Sequence, residues 1–322
     1  MDINSRIFVA GDRGMIGSAV RRRLTRDGYK NIIVRDRLHL DLTDTQATKQ
    51  FFKENQPEYV VVAAGLTGGI VENRRRPVDF LHINLSIALN TLQAAHQYKI
   101  KKLIYLCSSC MYPSHCPQPM KEEQLLTGKP DANSLSTALS KLAAMQLCLS
   151  YNQQYGATRF IPVIPNNTYG PNDDFDPSSG HVLSALIHRF HVAMRMKSPT
   201  IELWGSGAPQ REFIHSDDVA SACLMLLKAP LEGQSLPMNI GVGEDHSIRE
   251  LAEMIAKTVG YTGKITWNTE KPDGAPRKLL DSSRIRQLGW TPSIPLEQGI
   301  KDTYQWYMQN AQEPQRRAHV NI

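Results

Sequence analysis

The chain has 322 residues, a net formal charge of +6 and a hydrophobic fraction of 41%. This length allows one large or two medium domains, and the hydrophobic fraction excludes a disordered chain. No stretch of about 18 apolar residues occurs, which excludes a membrane span, and the first residues lack an apolar signal region. The basic residues stand in short groups. Such groups could bind either a nucleic acid or an anionic small molecule, and we expect an anionic small molecule as the ligand and no nucleic-acid partner.

The cysteines are odd in number and show no paired zinc spacing; they are Cys107, Cys110, Cys116, Cys148 and Cys223. This usage predicts a reducing, cytoplasmic location. Cys107 and Cys110 have the Cys-x-x-Cys form of a redox or metal pair, but no second pair accompanies them. We therefore expect no metal site, and we interpret Cys107 and Cys148 as small buried hydrophobic residues.

Short apolar runs predict strands at 7–10, 32–34, 59–64, 103–106 and 160–164. Helical patterns lie between them and are clearest at 79–98 and 140–155. Strands that alternate with helices predict an α/β fold, a Rossmann-type doubly wound parallel sheet with ligands at the carboxyl ends of its strands. Pro162 argues against a central position for the fifth strand.

Gly11, Gly14 and Gly17 stand at three-residue intervals between the first strand and a helical pattern. In that context the first glycine allows a tight turn and the second lets the backbone approach a pyrophosphate. The third lets the helix pack on the strand, and the helix N-terminus faces the anion. The motif predicts a dinucleotide-binding site; a simple strand-to-helix turn is the alternative.

The pattern changes after about residue 165, where Pro, Asn, Asp, Gly and Ser dominate until 180. Further helical patterns follow at 181–194, 247–259 and 296–309. We predict that residues 1–165 form the dinucleotide-binding domain, with segments near 210–245 that return to its sheet. Residues 166–322 are predicted to form mainly a smaller substrate-binding lobe.

Charged residues near the glycine-rich loop bear on the choice between NADP and NAD. Arg13 lies inside the loop, and Asp36 stands between Arg35 and Arg37 after the second strand. A guanidinium suits the 2′-phosphate of NADP(H), whereas an acid binds the ribose of NAD, so both remain open and we favour NADP(H). Asp41 can accept a hydrogen bond from the adenine amine, and a helix N-cap is its alternative role.

A further polar group follows the fourth strand. The hydroxyls of Ser108 and Ser109 can bind a carbonyl oxygen at this end of the sheet, and the Cys110 thiol can shuttle a proton. For a thiol in isolation, the role of a small buried hydrophobic residue is the alternative.

Eight segments occur in an order that resembles the GDP-L-fucose synthases, which are extended short-chain dehydrogenases. The segments are 11–17, 63–70, 108–113, 167–171, 179–182, 204–207, 211–215 and 271–278. The likeness covers nearly the whole chain, from about residue 6 to about residue 307. It implies a GDP-bound sugar as the ligand, NADP(H) as the cofactor and a homodimer as the assembly.

The resemblance also implies two reactions in one pocket. The family epimerises C3 and C5 of GDP-4-keto-6-deoxy-mannose and then reduces C4 with NADPH. Its epimerisation cysteine and histidine match Cys110 and His181. A C4 ketone acidifies both neighbouring C–H bonds, and a thiol and an imidazole can both change proton state near neutral pH. Taken alone, His181 would be a surface histidine at the start of a helix.

Further roles are matched by position. The other predicted catalytic residues are Ser108, Ser109, Thr137 and Lys141. The predicted cofactor-binding residues are Gly11, Arg13, Gly14, Met15, Ile16, Gly17, Arg37, Asp41, Leu42, Ala63, Ala64, Gly65, Lys141, Pro165 and Asn167. The predicted substrate-binding residues are Asn167, Arg189, Trp204, Arg211 and Asp273. Arginines suit a diphosphate. The alternatives are a solvated helix face for Arg189 and core packing for Trp204.

The chain departs from the family pattern at two places. The reductase signature Tyr-x-x-x-Lys keeps Lys141, but Thr137 stands at the tyrosine position, and no tyrosine occurs between Tyr112 and Tyr151. An aliphatic hydroxyl is a weaker acid than a phenol, so we expect C4 reduction to be slower by about 10²–10⁴-fold. Leucine and threonine at 66–67 replace the family's usual basic residue and valine, which predicts a pocket for a different sugar.

These observations favour a GDP-sugar epimerase, an isomerising enzyme that uses Cys110 and His181 and has weak or absent C4 reduction. One alternative is an NADPH-dependent C4 reductase in which Thr137, Ser109 or a water relays the proton. Others are a GDP-sugar pyranose–furanose mutase and a non-catalytic GDP-sugar-binding protein. The retained pocket residues, Lys141 among them, argue against the last.

Overall fold

The computed structural model describes residues 1–233 and 237–310. Its strands are β1 (Ile7–Ala10), β2 (Ile32–Ile33), β3 (Tyr59–Val62), β4 (Lys102–Leu106), β5 (Phe160–Pro165), β6 (Asn167–Tyr169), β7 (Thr200–Trp204), β8 (Gln210–Arg211), β9 (Phe213–His215), β10 (Met238–Ile240), β11 (His246–Ser247), β12 (Lys264–Asn268) and β13 (Arg277–Lys278). Its α-helices are α1 (Met15–Arg26), α2 (Thr45–Asn55), α3 (Ile70–Arg75), α4 (Pro77–Gln97), α5 (Leu135–Tyr155), α6 (Val182–Arg195), α7 (Ser216–Lys228), α8 (Ile248–Val259), α9 (Ser283–Gln287) and α10 (Leu296–Asn310).

Within the described residues, a six-stranded sheet has the order β10-β5-β4-β3-β1-β2, and each neighbouring pair is parallel. Alternate residues of a strand point to opposite faces. Val60 and Val62 pack with residues of α2, α4 and α5, whereas Tyr59 and Val61 pack with residues of α1 and α7. Helices therefore cover both faces of the sheet, which confirms the predicted Rossmann-type doubly wound fold.

Strand β5 lies between β4 and β10, a more interior position than Pro162 led us to expect. The carbonyl oxygens of Arg159 and Val163 accept hydrogen bonds from the N–H groups of β4 and the residue after it. Because backbone groups of successive residues point to alternate sides, the Pro162 nitrogen faces away from β4. On the other side, the pairing with β10 begins only at Val163. The strand therefore accommodates a proline without losing a bond to β4.

The bounds of some elements differ from the predicted ones. Helix α5 begins at Leu135 rather than at 140, which places Thr137 and Lys141 on successive turns of one helix. Residues four apart lie on the same helix face, so both side chains share one side of α5. Strands β2 and β3 end at Ile33 and Val62, slightly before their predicted ends.

A separate hydrophobic cluster packs the second half of the chain. It contains Phe190 of α6, Leu203 of β7, Ile255 of α8 and Ile300 of α10. Strand β7 pairs with β12, and β8 lies between β11 and β13. Strand β10, which falls within the predicted returning segment, joins the main sheet. The domain boundary after residue 165 stays a prediction. No described helix has the length and apolar character needed to cross a membrane.

Candidate active site

The glycine-rich loop after β1 makes a tight turn against β3. Gly11 has a φ of +82°, and a Cβ at this position would lie 2.7 Å from the backbone nitrogen of Ala64. A Cβ at Gly17 would lie 2.1 Å from the carbonyl oxygen of Gly11. Both positions therefore require glycine, the first for its left-handed backbone and the second because α1 packs directly on the turn.

The N-terminus of α1 is open to an anion. Gly14 is the N-cap residue, no described side chain caps the helix, and its first turn contains no acidic residue. A Cβ at Gly14 would approach the Gly11 carbonyl oxygen only to 3.4 Å, so glycine here leaves space rather than avoiding a clash. The free N–H groups of the first turn, which begins with Met15 and Ile16, can bind a pyrophosphate. The loop therefore fits a dinucleotide.

Residues 63–65 continue from β3 along the same edge of the sheet. The Ala63 N–H donates to the Ala10 carbonyl at 3.0 Å. A Cβ at Gly65 would lie 2.9 Å from the side-chain oxygen of Asn84, which also accepts the N–H of Leu66 at 2.8 Å. The buried Asn84 thus fixes the backbone that forms this wall of the predicted cofactor site.

A cavity of about 400 Å³ lies between the glycine-rich loop and the end of β2. Its charged lining consists of Asp12, Arg13, Arg21, Arg35, Asp36 and His39. Arg13 forms an ion pair with Asp36 at 2.9 Å, and Arg21 forms one with Asp12 at 2.7 Å. A Rossmann fold binds the ribose of its dinucleotide beside the end of this second strand.

Asp41 has local partners in addition to the role predicted for it. Its carboxylate accepts the N–H and the hydroxyl of Thr43, at 2.9 and 2.7 Å, and pairs with Arg37 at 3.4 Å. The N-cap of α2 is Asp44, so the alternative role of Asp41 as a helix N-cap is wrong. Leu42 between them is buried. Cofactor contacts by Arg37, Asp41 and Leu42 stay predictions.

Ser108, Ser109 and Cys110 form the turn that follows β4. The Ser108 hydroxyl accepts the Cys110 N–H at 3.4 Å, Ser109 is buried, and Cys110 is half-buried. Burial raises the pKa of the Cys110 thiol, although its hydrogen bond with Ser108 and the positive charges of Lys278 and Lys141 partly oppose that rise. The thiol is therefore protonated at neutral pH and can donate a proton.

Lys141 lies beneath this turn. Its ammonium group donates to the Leu106 carbonyl at 2.7 Å and lies 4.8 Å from the centre of the Tyr105 ring. Burial lowers the pKa of Lys141. A Cβ at Gly65 would be 3.8 Å from the ammonium nitrogen, which therefore lies beside the predicted cofactor wall. Lys141 has three N–H donors, so the bond to Leu106 leaves donors for a ribose hydroxyl.

Thr137 is bound to a side chain of α3. Its hydroxyl lies 2.5 Å from the side-chain oxygen of Asn73, and the Asn73 amide nitrogen donates to the carbonyls of Gly68 and Gly69, at 2.9 and 3.1 Å. Because an amide nitrogen only donates, these two carbonyls orient Asn73 with its oxygen toward Thr137. The Thr137 hydroxyl is therefore the donor, and its proton points at α3.

His181 is the N-cap residue of α6 and has an exposed side chain. The loop before it is joined to the loop before α3, because the Gly69 N–H donates to the Ser179 carbonyl at 2.9 Å. Gly69 is also a partner of Asn73. One segment, 68–73, therefore contacts both Thr137 and the loop that carries His181.

A buried carboxylate stands behind His181. Asp173 accepts the hydroxyl of Ser184, in the first turn of α6, and the N–H of Asp174. Burial raises the pKa of Asp173, and the charge of His181 partly opposes the rise. The two groups therefore lie close enough to interact electrostatically.

Three of the predicted substrate-binding residues lie in one region. Trp204, at the end of β7, is 68% exposed, so its alternative role in core packing is wrong. Asp273 accepts the N–H and the hydroxyl of Ser206, at 2.9 and 2.7 Å, and these bonds lower its pKa. Arg211 on β8 lies beside Asp273, since its guanidinium is 3.0 Å from the Cβ position of Gly274.

The other two are held by backbone groups. Arg189 donates to the carbonyl of Glu202 in β7, and burial lowers its pKa, so it lies against β7 rather than on a solvated helix face. Asn167 directly follows the segment Phe160–Pro165 and Asn166, and its amide donates to the Glu212 carbonyl at 2.8 Å. Substrate contacts by these residues stay predictions.

Sequence analysis missed roles for Asn73 and Lys278. Lys278 pairs in register with Arg211 through β13 and β8, and its charge acts on Cys110. Lys278 is the last residue of the segment 271–278 that resembles the family, and this position could have indicated its role in the site. Nothing local to Asn73 indicated its contact with Thr137, because 64 positions separate the two residues.

Cys107 and Cys110 show no sign of a redox or metal pair. All five cysteines are free, and burial raises the pKa of Cys107 to about 12. A metal ligand or a reactive redox thiol is a thiolate, which this environment disfavours. Among the described residues, no group of three or more His, Cys, Asp or Glu side chains could hold a metal ion.

Known proteins are similar to this chain over almost its whole length. The model of the NAD dependent epimerase/dehydratase family matches residues 7–241. The GDP-L-fucose synthase of Escherichia coli (strain K12) is 45% identical over 312 residues, which cover 95% of this chain and 97% of that protein.

Two solved structures superpose closely. A GDP-6-OMe-4-keto-L-xylo-heptose reductase from C. jejuni has a TM-score of 0.89 and 35% identity, covering 96% of this chain and 99% of its own. A GDP-L-fucose synthetase from Naegleria fowleri bound to NADP has a TM-score of 0.88 and 28% identity, covering 98% of each chain. With the glycine-rich loop and the turn after β4, these similarities establish that the chain belongs to the GDP-L-fucose synthase family, within the NAD dependent epimerase/dehydratases.

Proposed function

We propose that this protein is a GDP-sugar epimerase that binds NADP(H) and has weak or absent C4 reduction. Its substrate class is a GDP-4-keto-6-deoxy-hexose. The activities of the E. coli and C. jejuni relatives support a GDP-bound keto sugar, and the NADP in the Naegleria structure supports the cofactor. One observation carries the loss of reduction: Thr137 occupies the acid position, and its proton is directed to Asn73.

Proton transfer at C3 and C5 needs an acid and a base. The C4 ketone acidifies both neighbouring C–H bonds, so a base removes the proton from one face and an acid returns one to the other. Cys110 suits the acid, because burial keeps its thiol protonated at neutral pH. His181 suits the base, since a neutral imidazole accepts a proton and the exposed side chain of His181 is accessible to a substrate.

Reduction at C4 requires a proton for the developing alkoxide. When bound, NADPH supplies the hydride chemistry of this family, and Lys141, which lies beside Gly65, would hold its ribose. The position four residues before Lys141 carries a hydroxyl that is a weaker acid than a phenol and is already a donor to Asn73. General acid assistance is worth about 10²–10⁴-fold, and we expect a loss of that size.

The second lobe supplies the features that a GDP group requires. Arg189 and Arg211 are the candidates for binding the diphosphate, because one guanidinium group can donate two hydrogen bonds to phosphate oxygens. The exposed ring of Trp204 offers a face for stacking, and Asp273 can accept from a sugar hydroxyl or a base amine. The leucine and threonine at 66–67 directly precede the segment 68–73, which contacts Thr137. We expect these two residues to face a sugar substituent that differs from that of the family's usual substrate.

We also propose a homodimer formed through α4 and α5. These helices pack against each other on one face of the sheet, and their outer sides expose large apolar residues, among them Val78, Leu89 and Leu139. A second copy that covers these side chains would remove apolar surface from water on both subunits. A cytoplasmic location stays a prediction.

Proton NMR in D₂O tests the proposed reaction. The enzyme is mixed with GDP-4-keto-6-deoxy-mannose, with and without NADPH, and with Cys110→Ser and His181→Gln as controls. Deuterium uptake at C3 or C5 without a new C4 alcohol is the expected result, and both variants should slow the uptake. Uptake that is unchanged in Cys110→Ser would contradict the proposed proton transfer.

The C4 reductase is the second candidate, favoured by the reductase activity of the C. jejuni relative. It predicts a C4 alcohol that forms rapidly and only with NADPH in the same experiment. Ser109 or a water would then relay the proton. Binding of GDP-sugars with no exchange and no reduction would instead indicate a non-catalytic binding protein.

A further inference from the structure

We infer that Asn73 is a positioning residue for the proposed epimerisation. Its side chain fixes the turn at 68–69 against the residues at 179–180, and so sets where His181 stands. The inference rests on the proposed function and deepens it, because it names a residue that acts on proton transfer through His181. Its basis is a chain of hydrogen bonds that runs from α5 through the start of α3 to the start of α6.

Helix α3 is held by polar bonds more than by apolar packing. Asn73 is its only buried residue, at 7% exposed, whereas Ile70 and Val71 are 55% and 60% exposed. Burial of apolar surface therefore contributes little to the attachment of this helix. Arg74 donates to the Asn133 side-chain oxygen at the surface, where water competes for the same groups. The attachment of α3 thus depends chiefly on the bonds of the buried Asn73.

The Asn73 side chain joins two elements of the site. Its amide nitrogen donates to the carbonyls of Gly68 and Gly69, at 2.9 and 3.1 Å, and its oxygen accepts the Thr137 hydroxyl at 2.5 Å. An amide has two N–H donors, so both are used on the turn before α3. One end of the side chain binds this turn and the other binds α5. A movement of the turn relative to α5 must therefore break at least one of these bonds.

The turn that Asn73 holds lies directly against the residues before α6. The Gly69 N–H donates to the Ser179 carbonyl at 2.9 Å. A Cβ at Gly69 would lie 3.2 Å from that carbonyl oxygen and 3.4 Å from the carbonyl oxygen of Gly180. His181 follows immediately as the N-cap residue of α6, and its side chain makes no capping hydrogen bond. The backbone at 179–180 therefore decides where the imidazole stands.

Proton transfer is sensitive to this placement. A base must lie within hydrogen-bond reach of the proton that it removes, and a misplacement of about 1 Å can cost about 10²-fold in rate. Without the Asn73 bonds, the turn at 68–69 can move away from α5, and the residues before His181 lose their support. We expect kcat for exchange to fall and KM to stay nearly constant, because Trp204 and Arg211, proposed to bind the GDP group, lie on β7 and β8.

Deuterium exchange at C3 and C5 of GDP-4-keto-6-deoxy-mannose tests the inference on the full-length protein. Asn73→Ala should lower kcat for exchange by about tenfold or more and change KM by less than about threefold. Asn73→Asp keeps an acceptor for Thr137 but cannot donate to the two glycine carbonyls, so it should lose as much. Gly69→Pro removes the N–H that binds Ser179, at a φ of −68° that suits proline, and should slow exchange in the same way.

Asn90→Ala is the matched control. Asn90 is 8% exposed, and its amide donates to the carbonyls of Leu42 and Thr43 at 2.9 and 3.0 Å. Its oxygen accepts the Thr45 hydroxyl at 2.8 Å. The same three kinds of bond are therefore lost, but between α4 and the start of α2. Urea unfolding should show similar falls in the midpoint for Asn90→Ala and Asn73→Ala, whereas Asn90→Ala should keep exchange within about twofold of the wild type.

Three results overturn the inference: equal losses of exchange in Asn73→Ala and Asn90→Ala, normal exchange in Asn73→Asp or Gly69→Pro, or a loss confined to KM. If Asn73→Ala does not fold, Asn73→Asp and Gly69→Pro decide the question by the same measurement. A wild type that takes up no deuterium means that the proposed function itself fails, which is a distinct outcome.

Discussion

The Thr137 hydroxyl donates to the Asn73 side-chain oxygen across 2.5 Å and so links the first turn of α5 to α3. The two carbonyls that bind the Asn73 amide nitrogen leave this oxygen no other orientation. Asn73 also binds Gly69, whose N–H donates to the Ser179 carbonyl. Thr137, at the position of the family's catalytic tyrosine, is thereby connected to the segment that carries His181.

Thr137→Tyr should restore C4 reduction. A phenol has a pKa of about 10 and reaches further than a threonine hydroxyl, so the variant should reduce C4 about 10²-fold faster or more. NADPH oxidation with GDP-4-keto-6-deoxy-mannose measures the rate. Thr137→Phe has nearly the same bulk without the acid and should gain nothing; an equal gain in both variants would refute the explanation.

The pH dependence of hydrogen exchange should reveal the protonated Cys110. Burial raises the pKa of the thiol, so a proton donor at this position stays active at neutral pH and is lost only as pH rises through the raised value. Lys278→Met removes a cation that favours the thiolate and should move this alkaline limb to higher pH. Lys257→Met, on the exposed side of α8, is the control and should not move it.

Alanine at two glycines should separate folding from cofactor binding. Gly17→Ala forces a Cβ to within 2.1 Å of a backbone oxygen and should cost about 3 kcal/mol of stability. Gly14→Ala meets no such contact and should fold with a stability change below about 1 kcal/mol. Because its methyl group lies where the pyrophosphate approaches, it should weaken NADP⁺ binding by about tenfold. Urea unfolding and calorimetry measure the two effects.

Glu212 should be essential for stability. It is fully buried and accepts hydrogen bonds from the Asn166 amide at 2.6 Å, the Gly243 N–H at 2.7 Å and the Leu280 N–H at 3.1 Å. Glu212→Ala leaves these buried donors without an acceptor, which should cost about 3 kcal/mol or more in urea unfolding. By comparison, Glu58→Ala removes an exposed ion pair with Lys101 and an acceptor for the exposed Arg6 N–H, and it should cost below about 1 kcal/mol. Similar losses in both variants would contradict this assignment.

The proposed dimer should dissociate when its apolar face is charged. Leu89→Glu combined with Leu139→Glu places carboxylates on α4 and α5 at exposed apolar positions. Sedimentation equilibrium should show a dimer for the wild type and a folded monomer for the double variant, because a buried interface does not accept unpaired charges. A monomeric wild type would refute the proposal.

The cofactor half of the molecule was largely predictable from local patterns. Strand periodicity and the spacing of Gly11, Gly14 and Gly17 are properties of short segments, and the structure has the predicted sheet with that loop at its carboxyl edge. The expectation that Pro162 excludes β5 from the interior of the sheet was wrong. Whether a proline disrupts a sheet depends on which neighbouring strand its missing N–H would face, and the pairing with β10 begins only after Pro162. The start of α5 was predicted too late, and the first turn that the prediction left out carries the hydrogen bond between Thr137 and Asn73.

The sequence by itself determined the fold class, the glycine-rich loop and the absence of a tyrosine at position 137, because each is written in neighbouring residues. The tertiary structure alone decided which partners those residues have. It joined Thr137 to Asn73 across 64 positions, Arg13 to Asp36 across 23, and Lys278 to the surroundings of Cys110. Proton donation and charge depend on such distant contacts, since the crossovers of a parallel sheet bring separate loops to one edge.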